Sequence, residues 1–172
     1  LICAVSGVEV HTEKVWQFAD EYNLPRLVFI NKLDRENANF AKALAQVQEQ
    51  LSNRAVAVQL PIGSEENFRG VIDLVNMKAI LYDPKKGKDF TVEEIPADMQ
   101  AEAESYREKL IEAVAETDDE LVMKYLEGEA LTNEEITTGL RIGTLDGSII
   151  PVRCGSALAN VGIQPLMDAI IA

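Results

Sequence analysis

Asn31, Lys32 and Asp34 follow directly on a short apolar run, 27–30, in the order Asn-Lys-Leu-Asp. A carboxylate at Asp34 can accept two hydrogen bonds from one edge of guanine, the ring N–H and the exocyclic amino group. Adenine lacks that amino group, and a buried carboxylate left unpaired against it is costly. The alkyl stem of Lys32 can lie across a base while its ammonium group stays in water. The Asn31 amide offers both a donor and an acceptor.

This four-residue pattern also occurs by chance, and the alternative interpretation is a strand followed by an ordinary polar turn. The apolar run before it favours the first interpretation, because a short continuous apolar segment is typical of a strand buried on both faces of a parallel sheet. In open α/β sheets, ligands bind beyond the carboxyl ends of the strands. The polar residues of 31–34 are expected at that edge.

The first 53 residues predict a strand, a helix, a second strand and a second helix, with the two strands joined by a right-handed parallel crossover. The first helix is expected to begin near Thr12 and the second to be capped by Asn37 or Asn39. Each helix has an apolar stripe that should face the sheet. The stripes are Val15, Phe18, Ala19 and Tyr22, and then Phe40, Ala43, Leu44, Val47 and Leu51.

The pattern changes at about Arg54 and returns at about Asp146. Short strands and turn signals predict a small antiparallel sheet, followed by three helices. The strands are expected over 55–60 (stopping at Pro61), 71–75, 77–82 and 90–93, a turn over 83–87, and helices over 97–116, 117–128 and from 132 onwards. A strand over 148–153 contains Pro151. It is expected at a sheet edge because proline cannot donate to a ladder.

Composition limits the class of protein. The formal net charge of −13 argues against nucleic-acid binding, DNA included, which needs a basic face. No stretch approaches the ~20 apolar residues of a membrane span. Two cysteines, Cys3 and Cys154, are too few for a disulfide framework and indicate a reducing compartment, the cytoplasm. No cluster has metal-ligand spacing, so no metal-binding residue is expected.

The ordered series of motifs resembles the second half of the GTP-binding domain of bacterial elongation factor G, a translational GTPase. The resemblance covers essentially all 172 residues. One departure is Asn37, where this family commonly has glycine. The matching stretches are Ala4-Val5-Ser6-Gly7-Val8-Glu9-Val10, Asn31-Lys32-Leu33-Asp34-Arg35, Ala38-Asn39-Phe40, Gln59-Leu60-Pro61-Ile62-Gly63, Gly70-Val71-Ile72-Asp73-Leu74-Val75, Ile95-Pro96-Ala97-Asp98 and Cys154-Gly155-Ser156-Ala157.

The resemblance implies an α/β fold, a partial P-loop GTPase-type parallel sheet with helices, interrupted by an inserted α+β subdomain of a small antiparallel sheet plus helices. Residues 1–53 and 147–172 would form the GTP-binding part and 54–146 the insertion. The resemblance also implies a second guanine-recognition loop, whose backbone N–H groups would meet the guanine carbonyl oxygen. That loop is Gly155, Ser156 and Ala157. By itself this loop is better interpreted as an ordinary strand-to-helix turn. Because both loops follow strands and should open at the same edge of a parallel sheet, its pairing with Asp34 favours recognition of the base.

The resemblance further implies GTP or GDP as the ligand of the parent protein, with Mg²⁺ held by parts outside these residues. It implies the ribosome as a partner, with the acidic insertion contacting a large-subunit stalk protein. From 93 to 135 the chain has 15 acidic residues against three basic ones, and Glu104, Glu108, Glu112 and Glu116 form a row at four-residue spacing. Such a row can dock a basic partner. The alternative is a solvated helix face.

The phosphate-binding parts of such an enzyme are missing from the sequence. No Gly-x-x-x-x-Gly-Lys-Ser/Thr occurs, because Gly87-Lys88 is followed by Asp89. No Asp is followed by Gly three positions later. We therefore expect a fragment of a ribosome-dependent translocation GTPase with no catalytic residues, no bound nucleotide and no hydrolytic activity of its own. Two alternatives stay open: a ribosomal-protection or release-factor-type GTPase fragment, and a non-catalytic acidic protein-binding module with a coincidental Asn-Lys-Leu-Asp.

Overall fold

The computed structural model describes residues 1–83 and 89–171. Residues 84–87 of the predicted turn therefore lie outside the described residues. In chain order the described elements are β1 (Ile2–Cys3), α1 (Val10–Glu21), β2 (Val28–Asn31), α2 (Phe40–Gln50), β3 (Ala55–Ala57), β4 (Gln59–Ile62), a 3₁₀ turn (Glu65–Asn67), β5 (Gly70–Asp73), β6 (Lys78–Tyr82), β7 (Phe90–Glu93), α3 (Gln100–Ala115), α4 (Asp119–Leu126), α5 (Asn133–Asp146), β8 (Ile150–Cys154) and α6 (Ile163–Ile171).

These strands form two sheets. The first is parallel with the order β1-β2-β8-β3, and the second is antiparallel with the order β4-β5-β6-β7. Three helices follow the antiparallel sheet before the chain returns to the parallel sheet in β8. The predicted α/β class, with a parallel sheet and a separate antiparallel sheet, is confirmed. Within the described part of the chain, no helix combines the length and the apolarity that crossing a membrane requires.

The change from one sheet to the other takes place at Val58. Its N–H donates to Val152 O of β8 at 3.0 Å, and its carbonyl accepts from Leu74 N at 3.2 Å. Ala55–Ala57 therefore belongs to the parallel sheet and Gln59–Ile62 to the antiparallel one. The single strand predicted over 55–60 is wrong. The division of the chain into 1–53, 54–146 and 147–172 stays a prediction.

Proline does not end a strand at Pro61, contrary to expectation. Pro61 lies inside β4 and is paired with Val71 of β5. Because β4 is at the edge of its sheet, the proline nitrogen can face the side without a ladder partner.

The opposite error concerns Pro151, which was expected in an edge strand but lies in the central strand β8, between β2 and β3. Ile150 N–H donates to Arg54 O at 2.9 Å on the β3 side, so the next nitrogen along the strand points toward β2. Pairing with β2 begins only at Val152, opposite Val28. Pro151 therefore occupies a position where no N–H is required.

The apolar stripe predicted for α1 does not pack on the sheet. Val15 is 51% exposed, Phe18 57% and Tyr22 69%, and no residue of the helix is buried. Trp16 instead packs against the core from a partly buried position. Helical spacing identifies an apolar face, but it cannot say whether anything within the chain covers that face. By contrast, Phe40, Ala43, Leu44 and Val47 of α2 are buried as expected.

The caps of α2, α4 and α5 come from side chains. Asn39 caps α2, with its side chain accepting from Lys42 N at 2.9 Å, which is one of the two expected caps. Thr132 and Glu135 form a capping box at the start of α5, and the Asp118 side chain caps α4. Within α5, a Cβ built on Gly139 would lie 2.6 Å from Val114 Cγ1, so this glycine permits close packing of α5 on α3.

Candidate functional site

Two loops leave the same edge of the parallel sheet. Ile30 of β2 is in register with Cys154 of β8, and both strands run in the same direction. Gly155 N–H donates to Ile30 O at 3.0 Å, and Leu33 N–H donates to Gly155 O at 3.3 Å. The loop after β2, 31–34, is thereby fastened to the loop after β8, 155–157. Sequence reasoning placed both loops at one edge, and the structure brings them into direct contact.

The side chain of Asn31 connects the two loops a second time. Its Oδ1 accepts from Lys32 N at 2.8 Å and from Ala157 N at 2.9 Å. One amide oxygen therefore holds the shape of its own loop and the position of the neighbouring one. Asn31 Nδ2 makes no hydrogen bond with any described residue, which leaves it as a donor for a ligand.

Lys32 adopts a conformation that favours glycine. Its φ is +68°, and for a residue with a side chain the left-handed region costs roughly 1–2 kcal/mol. Such strain is concentrated at binding loops, where the surrounding structure enforces it. The residue is exposed, so its ammonium group stays in water while its alkyl stem is available to a planar ligand.

Asp34 carries an unsatisfied oxygen. Its Oδ1 is buried and accepts no hydrogen bond from any described residue. An orphaned buried acceptor costs about 1–3 kcal/mol, and more when it is charged. A ligand edge with two adjacent N–H donors would remove this cost. The residues present therefore fit a guanine base, which offers such an edge.

The N–H groups of 155–157 already have acceptors inside the chain. Gly155 donates to Ile30 O, and Ser156 donates to Val161 O at 3.0 Å. Ala157 donates to Asn31 Oδ1, the only one of the three acceptors that is a side-chain atom. A ligand carbonyl could share or replace that acceptor at Ala157 without breaking a backbone bond. Among the three residues, Ala157 is therefore the one best placed to donate to a base.

Gly155 and Ser156 have structural tasks. A Cβ on Gly155 would lie 2.3 Å from Val161 O and 2.7 Å from the Phe29 ring, so only glycine fits there. The Ser156 hydroxyl accepts from Ala159 N at 3.1 Å, and the residue is fully buried. Both residues fix the path of the loop that carries Ala157.

Sequence reasoning missed Glu65, which belongs to the 3₁₀ turn beside the antiparallel sheet. Glu65 N–H donates to Leu33 O at 2.9 Å, and its Oε1 accepts from Asn37 N at 2.8 Å. Asn37 has a φ of +62°, which explains why glycine is common there in the resembling family and why asparagine is tolerated. The segment 64–67 therefore braces the loop that carries Asp34. No pattern in the sequence signalled this contact.

The end of β1 also approaches this edge. Ala4 N–H donates to Asn31 O at 2.8 Å. Burial alone would raise the pKa of Cys3, but hydrogen bonding by Ser6 and the charge of Lys32 hold it below its ordinary value.

The described residues contain no group of three or more His, Cys, Asp or Glu side chains placed to hold a metal ion.

The acidic row begins on the exposed face of α3 and ends at Glu116, the residue directly after this helix. Its four members, Glu104, Glu108, Glu112 and Glu116, are all exposed. The opposite face carries Ala103, Leu110 and Val114, which are buried. Among the described residues, none of the four glutamates forms an ion pair. The row is therefore open to solvent or to a partner.

The chain is similar to known proteins in sequence and in fold. Residues 1–172 match the family model described as the elongation factor Tu GTP binding domain. A crystal structure of a protein from Thermus thermophilus is similar in fold, with a TM-score of 0.88 and 29% sequence identity. The match covers 99% of this chain and 25% of that protein. The chain thus spans about a quarter of the length of its solved relative.

Proposed function

We propose that this chain carries the base-recognition part of the nucleotide site in a ribosome-dependent GTPase of the elongation factor G type. The chain belongs to the family of the elongation factor Tu GTP-binding domain. The observation that carries the proposal is the Oδ1 of Asp34, which is buried and has no hydrogen-bond partner among the described residues. It lies on a loop that is fastened to a second loop at the carboxyl edge of a parallel sheet, where ligands of such sheets bind.

Each residue of the site has a separate task in this proposal. Asp34 accepts the ring N–H and the amino group of guanine through charge-assisted bonds. Asn31 Nδ2 donates to the base while its Oδ1 keeps the two loops together. Lys32 covers one face of the base, and Ala157 N–H donates to the guanine carbonyl oxygen. Phosphates and Mg²⁺ are assigned to parts of the parent protein outside these residues.

Hydrogen bonds join the two loops to each other, and Glu65 braces the loop of Asp34. This arrangement supports selectivity for guanine. A site that is held in shape before binding loses less free energy when a ligand orders it. Adenine would leave the Asp34 carboxylate unpaired, so discrimination follows from the cost of an unsatisfied buried group.

We further propose that the parent couples GTP hydrolysis to translocation and that the acidic row on α3 contacts a basic surface of a large-subunit stalk protein. The series of motifs from Ala4 to Ala157 supports the elongation factor G type. A ribosomal-protection or release-factor-type GTPase remains the second candidate, because it would share the base-recognition loops. The docking proposal is supported by the exposure of these four glutamates and by their lack of ion pairs with the described residues.

Replacing Asp34 by Asn in the complete factor tests the base assignment. Asparagine presents an amino group to guanine where a carboxylate accepted, but it can donate to the carbonyl that xanthine has at that position. GTP affinity should fall by roughly 30- to 1000-fold, which corresponds to about 2–4 kcal/mol, while xanthosine triphosphate should bind more tightly than to the wild type. Equilibrium titration with both nucleotides measures this.

Asp98→Asn is the matched control, because Asp98 is exposed and far along the chain from both loops. Its nucleotide preference should equal that of the wild type. Unchanged GTP affinity in Asp34→Asn would show that this carboxylate does not contact the base.

A further inference from the structure

Glu65 makes two hydrogen bonds to the segment that carries Asp34, one on either side of that residue. Its N–H donates to Leu33 O at 2.9 Å, and its Oε1 accepts from Asn37 N–H at 2.8 Å. The carbonyl of Leu33 lies in the same planar peptide unit as the nitrogen of Asp34. The first bond therefore fixes the backbone directly before this carboxylate, and the second holds the far end of the same loop.

The two residues joined by the second bond have backbone conformations that side chains rarely adopt. The φ angle is +54° at Glu65 and +62° at Asn37, and both lie in the left-handed region that favours glycine. Backbone strain of this kind persists only where surrounding contacts enforce it, and it is concentrated at functional sites. Loss of the Glu65 carboxylate would let Asn37 relax, and the loop of Asp34 would relax with it.

Glu65 is itself held by the antiparallel sheet. The turn 64–67 joins β4 to β5, and Phe68 N–H, from a buried residue, donates to Glu65 O at 3.1 Å. A Cβ on Gly63, whose φ is +77°, would lie 2.1 Å from Asn67 O, so the turn closes tightly at its start. The place of the Glu65 carboxylate is therefore set by β4 and β5 and not by the parallel sheet.

We propose that Glu65 is a positioning residue for base recognition and that it couples nucleotide binding to the antiparallel sheet. The inference rests on the proposed role of Asp34 in recognising guanine. Glu65 acts through the loop and not by contact with the base: it holds the Asp34 carboxylate where the ring N–H and the amino group of guanine both reach it. Because coupling between two sites is reciprocal, a bound base should in turn stabilise the turn 64–67.

The test compares GDP with inosine diphosphate in the complete factor by equilibrium titration. Hypoxanthine keeps the ring N–H and the carbonyl of guanine but lacks the amino group. The ratio of the two affinities therefore measures how well Asp34 reaches that group. Glu65→Ala should weaken GDP binding by about fivefold or more and should weaken inosine diphosphate binding by less, so that the ratio falls.

Two variants of the same turn serve as controls. Glu65→Gln keeps an oxygen that can accept from Asn37 N–H, so both affinities should stay within about twofold of the wild type. Glu66→Ala removes the exposed carboxylate that comes next in the turn, and it should leave the affinities and their ratio unchanged.

Hydrogen exchange of the wild-type factor does not depend on the folding of any variant. Addition of GDP should slow the exchange of backbone amides in 33–37 and also in 64–67, by about twofold or more. Exchange within α4, which belongs to neither segment, should not change.

The positioning role is overturned if Glu65→Ala binds both nucleotides like the wild type, or if it loses affinity for both equally, because equal losses indicate a general structural role. Failure of Glu65→Gln to restore the ratio, or unchanged exchange over 64–67 with GDP, would also overturn it. Asp34→Asn is measured in the same titrations. If Asp34→Asn leaves the GDP affinity unchanged, the base assignment is wrong and this inference is wrong with it; if only Glu65→Ala leaves it unchanged, the positioning role alone is wrong.

Discussion

Replacing Asn31 by Ala should loosen the contact between the loops 31–34 and 155–157, which we propose to recognise the base. The substitution removes one oxygen that accepts from Lys32 N at 2.8 Å and from Ala157 N at 2.9 Å. Net hydrogen bonds contribute about 0.5–1.5 kcal/mol each, so the loss should be about 1–3 kcal/mol. In a chain of this length, the melting temperature should fall by roughly 2–4 °C for each kcal/mol.

Amide hydrogen exchange locates the effect. Ala157 loses its acceptor in this variant, and about 1 kcal/mol of local protection corresponds to roughly fivefold faster exchange of its amide. Asn39→Ala is the matched control. It removes the single bond of a helix cap, from Lys42 N at 2.9 Å, which costs about 1 kcal/mol. Its exchange change should be confined to the start of α2.

Asn31→Asp separates the two tasks of this side chain. A carboxylate keeps the acceptor, so stability and Ala157 exchange should remain close to wild type, while the donor to the base is lost in the complete factor. The reasoning is refuted if Ala157 exchange in Asn31→Ala equals that of the wild type, or if Asn39→Ala changes it equally.

Three further predictions follow from the site, the acidic row and the cap of α5. By calorimetry, the 172-residue chain alone should bind GDP with a dissociation constant no lower than about 1 mM. The reason is that a few hydrogen bonds of about 1–3 kcal/mol each only offset the free-energy cost of association. Micromolar binding would mean that the chain contains a phosphate site. Reversing Glu108, Glu112 and Glu116 to Lys in the complete factor should slow ribosome-stimulated GTP turnover at low salt without lowering the melting temperature, and equal turnover would argue against a charged docking face. Hydrogen bonds from Lys124 and Thr132 lower the pKa of Glu135 to about 2. The stabilisation by Glu135 is therefore complete above its ordinary pKa of 4.5 and is lost as the pH falls toward 2. In urea titrations, the free energy of unfolding of Glu135→Gln should depend less on acid pH than that of the wild type, and an identical dependence would contradict this assignment.

The sequence predicts well those features that depend on local pattern. The apolar run 27–30 indicated a strand buried on both faces, and Phe29 and Ile30 are 2% and 0% exposed. The short strands between 70 and 93 indicated an antiparallel sheet because short turns join them. These signals are local, so neighbouring residues suffice to read them.

The errors concern contacts that a local pattern does not contain. Pro151 can lie in a central strand because pairing with β2 begins only at the next residue, Val152, so β2 needs no N–H from position 151. Glu65 braces a loop through Asn37, which is 28 residues away in sequence. The stripe on α1 is apolar, but none of the described residues covers it. Each of these depends on where another element ends, and helical or strand spacing does not report that.

The bonds of Val58 have a consequence for how the chain can be divided. Its N–H serves one sheet and its carbonyl the other, so no linker separates the two hydrogen-bonded ladders, and Glu65 ties the second ladder to the loop of Asp34. An engineer who excises the predicted insertion at the compositional boundary near Arg54 would also remove β3, an edge strand of the parallel sheet. A displacement of the antiparallel sheet would likewise act on the loop of Asp34 through two hydrogen-bonded attachments, at Val58 and at Glu65.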